Sequence, residues 1–254
     1  MKIWVTGAEG VLGREVAMAA EVREHEVLTT THVECPIDSL ASVIRIAQVA
    51  GPDVIINCAG SLPGAPSIDM VTANTLGPHI LACLAPRGIR IVHMSTDCVF
   101  SGQESIVPSS SYPPDPTDLY GRTKLAGEVQ AERVLNVRGS FISKQAGFLR
   151  WLRHAEFEVE AWDNTTWTGT TVEIMAATLV ELAEGSVEGV VHVASPTMVT
   201  KGWMVELFVR ELELPVVVTH TKSPYIRRAL RPDIVLPDVA RVLVDYAKEM
   251  HRCH

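Results

Sequence analysis

Lys2-Ile3-Trp4-Val5-Thr6-Gly7-Ala8-Glu9-Gly10-Val11-Leu12-Gly13 is the stretch that decides the fold. Residues 2–6 read as a short buried strand, and a helix follows from Gly10 to about Arg23 with its start embedded in glycines. Such a turn gathers unpaired backbone N–H groups at the positive end of the helix dipole, where a pyrophosphate binds well. Gly7 allows the tight turn, Gly10 admits a close backbone approach with no Cβ in the way, and Gly13 permits tight helix-to-sheet packing. Val11 and Leu12 lend their backbone to the same cradle. The bland alternative is an ordinary glycine-rich turn; its place between the first strand and the first helix favours a cofactor cradle.

Outward from this unit, strand-like runs recur at about 26–30, 53–57 and 89–94, with helical stretches near 38–50 and 68–85 between them. This alternation implies right-handed crossovers and a parallel sheet covered on both faces, an α/β doubly wound architecture of the Rossmann type. Residues 101–117 are rich in Pro, Ser and Gly and read as a loop. A long helix is expected over 118–134, capped by Thr117 or Asp118. Beyond Val137 the pattern is mixed: helix near 147–154, strand near 157–161, helix near 172–184, strand at 189–194 and helix near 202–212. The expected organisation is a nucleotide-binding domain over 1–143 and a smaller substrate-binding region over 144–254, of which about 188–215 packs back on the main sheet.

With 254 residues, 47% of them apolar, the chain can bury a large core. Its formal net charge of -8 and the lack of Lys/Arg clusters interleaved with aromatics argue against nucleic acid as a partner. No apolar run approaches the roughly 20 residues of a membrane span, and the N-terminal strand leaves no room for a signal peptide, so a cytoplasmic location and no membrane partner are expected. Cys35, Cys58, Cys83, Cys98 and Cys253 show neither disulfide nor zinc-ligand spacing, and no metal is expected. The terminal His251-Arg252-Cys253-His254 reads as a frayed end, not a metal site.

Tyr120 and Lys124 lie four residues apart on a predicted helix and so share a face. A phenol titrates near 10, and an adjacent ammonium would favour the phenolate. Alone, this spacing usually marks a surface Tyr and a solvated Lys. Context changes that reading, because Ser95-Thr96-Asp97-Cys98-Val99-Phe100 follows the fourth strand at the carboxyl edge where ligands bind in open α/β sheets.

The Gly-x-x-Gly-x-x-Gly turn, the Thr96-Asp97-x-Val99-Phe100 run and Leu119-Tyr120-Gly121-Arg122-Thr123-Lys124-Leu125-Ala126-Gly127-Glu128 together resemble the extended short-chain dehydrogenases, in their dTDP-4-dehydrorhamnose reductase branch. The likeness covers most of residues 1–143 and, more loosely, the rest. It implies an NAD(P)H-dependent reductase of a keto group on a nucleotide-linked sugar, with Thr96, Tyr120 and Lys124 as the catalytic triad. Asn57-Cys58-Ala59-Gly60, with Ser61, resembles the family segment that passes beside the cofactor. After the second strand, Thr29-Thr30-Thr31-His32 stands where NAD users commonly carry an acidic residue. Without that carboxylate NADP(H) is favoured over NAD(H), with Thr30 and Thr31, helped by Arg14, as phosphate partners.

On the substrate side the resemblance assigns Thr96 and Asp97, with Phe141 after Val137-Arg138-Gly139-Ser140, Trp167 in the segment 161–171, and Arg231 beside Arg227 and Arg228. Core packing or a solvated basic loop is the competing reading for the last three. An epimerase-reductase of the GDP-fucose synthase type would use Cys98, with His154 as the nearest, off-register candidate for its second acid. A non-catalytic, NADP-binding regulatory subunit is the other alternative. A homodimer through the 68–85 and 118–135 segments is also compatible with the pattern.

Overall fold

The computed structural model describes residues 1–103, 107–223 and 227–252. The alternation seen in the sequence folds into β1 (Lys2–Thr6), α1 (Val11–Val22), β2 (Glu26–Thr30), α2 (Leu40–Ala50), β3 (Val54–Asn57), α3 (Ser67–Val71), α4 (Gly77–Ala82), β4 (Arg90–Met94), α5 (Leu119–Ala126) and β5 (Val134–Arg138). A seven-stranded sheet runs in the order Ile234–Val235, Gly189–Ala194, β5, β4, β3, β1, β2. β1 pairs in parallel with both β2 and β3, and β4 in parallel with β3 and β5. Chain order thus reverses between β1 and β3, the switch point at which such sheets bind ligands. β3, β4 and β5 are buried throughout, as expected of strands covered on both faces.

The chain divides into two compact units, one of Met1–Val99, Pro114–Arg138 and Glu173–Val191, the other of Phe100–Pro113, Gly139–Val172 and His192–His254. A single cut at 143/144 therefore does not describe it. Helix Val172–Glu184 belongs almost wholly with the first unit, a long-range association that no local pattern reports. In the first unit, Trp4, Val43, Ile55, Leu81, Leu84 and Ile91 pack into one core. In the second, Leu149, Leu152, Trp167, Phe208, Leu243 and Tyr246 form another.

Three local expectations need correction. The helix foreseen over 118–134 spans only Leu119–Ala126; residues 127–133 are turn and irregular, and β5 starts at Val134. A Cβ on Gly127 would lie 2.0 Å from the Asn74 carbonyl oxygen, so the chain makes a close backbone contact there in place of another turn. Second, the 68–85 helix is broken by a π-helical turn at Thr72–Leu76, where an extra residue widens the backbone. Third, strand Val217–Thr221 and helix Val239–Arg252 were not foreseen, although the helix buries Val239, Leu243, Tyr246, Ala247 and Met250 at helical spacing.

Beyond Gly127 the chain turns Glu128 inward. Its carboxylate accepts two bonds from the Arg138 guanidinium, at 2.8 and 2.7 Å, and one from Ser95 Oγ at 2.6 Å. Only 3% of the Glu128 side chain and 4% of that of Arg138 are exposed, so this is a buried ion pair joining α5 to β5 and to the loop after β4. Removing one partner of such a pair leaves a charge in a dry place and costs roughly 3–5 kcal/mol. Glu128→Ala is accordingly expected to lower the free energy of urea unfolding by that order, with Glu128→Leu/Arg138→Met recovering much of it. Equal stability of Glu128→Ala and wild type would contradict this role.

Candidate active site

Gly10 caps α1 in an extended conformation, and no side chain caps the helix. The first N–H groups of a helix have no intrahelical partner, so this end is open to an anion. Gly7 has φ +68°, and a Cβ there would lie 2.6 Å from the Cα and N of Ala59; a Cβ on Gly13 would lie 2.2 Å from the Gly7 carbonyl oxygen. Both glycines are thus demanded by close backbone approach, while Gly10 faces a cavity of about 560 Å³. Of the expected cofactor residues, Gly7, Gly10, Thr30, Thr31, Ala59, Gly60 and Ser61 line that cavity, at the carboxyl ends of β1, β2 and β3. The sequence reading missed Glu9, Asp38 and Asp69 on the same wall. A dinucleotide fits such a site: an uncapped helix start, a glycine turn without side chains, and a cavity at the switch point.

Other expected residues have different work. Leu12 and Gly13 are buried within α1. Asn57 is fully buried; its Oδ1 accepts from Thr6 Oγ1 at 2.6 Å and Ala59 N–H at 3.1 Å, and its Nδ2 meets His93 Nδ1 at 3.0 Å. It shapes the end of β3. Burial, with Lys124 nearby, holds the His93 imidazole well below its ordinary range, and so neutral. Thr30 Oγ1 accepts the Trp4 indole N–H at 3.0 Å. The Thr31 N–H and hydroxyl both donate to Glu34, at 2.8 and 2.9 Å, and these bonds hold the Glu34 carboxyl below its usual range. Residues 29–32 carry no carboxylate at the end of the second strand, as expected; Glu34, four positions beyond β2, folds back onto Thr31 and brings one close.

Asp118 caps α5 by accepting the Gly121 N–H at 2.7 Å. Gly121 lies against the loop after β4, where a Cβ would be 2.2 Å from the Cys98 carbonyl oxygen. This contact brings α5 onto Thr96-Asp97-Cys98. The Thr96 hydroxyl donates to Asp97 Oδ1 at 3.2 Å and accepts the Cys98 N–H at 3.1 Å. Cys98 Sγ also donates to Asp97 Oδ1, at 3.4 Å.

Lys124 is buried, and its Nζ donates to the Met94 carbonyl at 2.7 Å. That Nζ stands 3.9 Å from where a Cβ of Gly60 would be, next to the cavity wall. Burial pulls the Lys124 ammonium down to about 8, with Glu128 and Cys58 opposing. Burial, followed by Cys98, pushes the Tyr120 phenol above its ordinary value, and the opposing influence is a hydrogen bond with Thr96. The expected phenol acidified by its lysine is thus not what the protein by itself provides: burial raises it, and the neighbouring Cys98, Asp97 and Asp118 act in the same direction.

Asn74, in the π-helical turn, was missed altogether. Its Oδ1 accepts the Ser61 N–H at 2.8 Å, and its Nδ2 donates to the Ser61 carbonyl at 2.9 Å and to Thr123 Oγ1 at 3.2 Å. One side chain thereby ties the segment after β3 to α5. The sole hint in the sequence is a poor helix former inside a helical stretch.

In the second unit, Trp167 is fully buried, donates to Ser140 Oγ at 2.9 Å and carries Lys201 Nζ over its ring at 5.2 Å. It is a packing residue, not an open platform. Phe141 is partly buried and pairs in a two-residue strand with Thr170–Thr171. Arg231 is exposed, and its N–H donates to the Pro108 carbonyl at 2.9 Å. Arg138, in the segment expected to face a sugar nucleotide, is committed to Glu128. His154 has its ring on the Arg150 carbonyl at 2.8 Å, closing its own helix. Among the described residues no group of His, Cys, Asp and Glu could hold a metal, and no helix is long and apolar enough to cross a membrane. Cys253 and His254 lie outside the described residues.

The parallel sheet, its switch point and the glycine turn define a Rossmann-type α/β protein. The family profile described as RmlD substrate binding domain matches residues 1–241, and the chain belongs to that family. It is similar to a probable low-salt glycan biosynthesis reductase of Haloferax volcanii, 29% identical over 229 residues that cover 79% of this chain and 76% of that protein. A dTDP-4-dehydrorhamnose reductase of Mycobacterium tuberculosis is 30% identical over 220 residues, covering 79% and 72%. Two solved structures share the fold. The dTDP-4-dehydrorhamnose reductase of Clostridium acetobutylicum has a TM-score of 0.87 at 23% identity, over 98% of this chain and 99% of the other. That of Bacillus anthracis, in complex with NADP, has a TM-score of 0.85 at 19% identity, over 98% and 99%.

Two measurements follow from this geometry. Gly13→Ala forces a methyl group against the Gly7 carbonyl and is expected to weaken nicotinamide nucleotide binding at least tenfold in calorimetric titration; unchanged binding would show that the turn is not the cradle. Lys124 titrates near 10.5 when unfolded and about 8 when folded. Between those values the unfolded chain holds more protons, so this group makes stability rise with pH there and lowers it by a constant amount below 8. Lys124→Met is therefore expected to be more stable than wild type in urea at pH 7, with the gap closing as pH approaches 10.5. A gap independent of pH would refute the buried-ammonium assignment.

Proposed function

We propose that the chain reduces a keto group on a nucleotide-linked sugar with NAD(P)H, as the names of its relatives describe for those proteins. One observation carries the reading: Thr96, Tyr120 and Lys124 are all supplied by α5 and the loop after β4, with the Lys124 ammonium beside Gly60 on the wall of the dinucleotide-sized cavity. Bound reduced nicotinamide supplies a hydride to the carbonyl carbon. The glycine turn holds the pyrophosphate, and Lys124 holds the nicotinamide ribose from its seat on the Met94 carbonyl.

Tyr120 gives its proton to the oxygen that gains charge. Its raised pKa suits a donor, because the phenol keeps its proton until a stronger base develops beside it. Thr96 orients that phenol, and Asp97 in turn fixes the Thr96 hydroxyl. On this reading Phe141 and Arg231 serve the sugar nucleotide, Trp167 packs beneath, and the chain works in the cytoplasm. Cys98 has its thiol on Asp97, an arrangement that suits packing of the catalytic loop better than epimerisation.

The test is oxidation of NADH or NADPH by dTDP-4-keto-6-deoxyhexose. Tyr120→Phe should lower kcat by roughly 100- to 10,000-fold while leaving nucleotide binding in place. Unchanged turnover in that variant would overturn the assignment. Failure of the wild type to turn over dTDP-, UDP- and GDP-linked ketones, despite binding the cofactor, would favour a regulatory binding module instead.

A further inference from the structure

We infer that the chain selects NAD(H) over NADP(H), and that Glu34 is the residue that makes the choice, by placing its carboxylate on Thr31 at the ribose end of the cavity. The inference rests on the proposed dinucleotide site and sharpens it.

Thr30 and Thr31 form the cavity wall at the carboxyl end of β2, where the ribose of the adenosine half sits in folds of this kind. Their hydroxyls are the donors that a 2′-phosphate would need. The Thr31 donors are already committed, since Thr31 gives both its N–H and its hydroxyl to Glu34. Thr30 Oγ1 is drawn toward the core, where it accepts the Trp4 indole N–H. The Glu34 N–H closes the loop on Thr31 Oγ1 at 3.2 Å. These reciprocal bonds fix an ionised carboxylate one hydrogen bond from the wall.

Charge on the wall points the same way. Glu9, Asp38 and Asp69 line the cavity, and none of the described lining residues is Lys or Arg. A cation bonded to this loop, Arg45 on α2, has its guanidinium on the Glu34 carbonyl at 3.1 Å and does not line the cavity. A phosphate carrying nearly two negative charges would meet this acidic wall, with the Thr31 donors already given to Glu34. A ribose bearing a free 2′-hydroxyl meets acceptors, to which it can donate.

The experiment is titration of the intact protein with NADH and with NADPH, read as Kd by calorimetry without any sugar substrate. Wild type should bind NADH at least tenfold more tightly than NADPH. Glu34→Ala should narrow that ratio several-fold by improving NADPH binding, and Glu34→Arg should invert it. Because Glu34 is exposed, neither variant disturbs the core. Tighter NADPH binding by wild type, lost in Arg45→Ala, would overturn the inference and leave the dinucleotide site standing. A ratio unchanged in both Glu34 variants would overturn it as well. If neither nucleotide bound, the proposed function itself would fall, and the inference with it.

Discussion

Lys124 carries its ammonium into a place that water does not reach, and the surroundings are built to keep it there. The Met94 carbonyl at the end of β4 accepts a hydrogen bond from it, while Glu128 opposes the drop in pKa that burial imposes. Glu128 is itself fixed by Arg138 and Ser95, so the charge balance at the site reaches back into β5 and into the loop carrying Thr96. Every one of these contacts needs α5 to be short and close to the sheet. Gly121 and Gly127 allow that, the first against the Cys98 carbonyl and the second against that of Asn74. A longer helix with a Cβ at either position would hold the lysine away from the cavity.

The same burial reverses a simple expectation about the tyrosine. A phenol near an ammonium should become more acidic, but the two groups are desolvated together, and for Tyr120 the loss of water dominates. The ammonium is directed at a backbone carbonyl, not at the phenol. Under the proposed function, proton donation by Tyr120 needs no pre-formed phenolate, only a developing negative oxygen close enough to take the proton. The π-helical turn at 72–76 contributes by aiming Asn74 at both Ser61 and Thr123, so that the segment after β3 and α5 are held by one amide.

Much of the fold was legible because it is written in short-range patterns: the glycine turn between β1 and α1, the buried runs of β3 and β4, and the Tyr120-to-Lys124 spacing on α5. What was misread depended on contacts distant in sequence. Residues 127–133 read as the second half of a helix, but the close approach of Gly127 to Asn74 ends α5 and the chain turns irregularly into β5. Trp167 looked like a platform and proved to be core, since its indole N–H finds Ser140. Thr31 looked like a free donor until Glu34 was seen to accept both its N–H and its hydroxyl.

By itself the sequence determined the strand-turn-helix opening, the parallel α/β class and the identity of the chemical groups at the site, because periodicity and glycine placement act over a few residues. The tertiary structure alone decided how those groups are charged and which of them remain open to a ligand. Desolvation and long-range hydrogen bonds set both properties, and neither exists until the chain has closed around the side chains concerned.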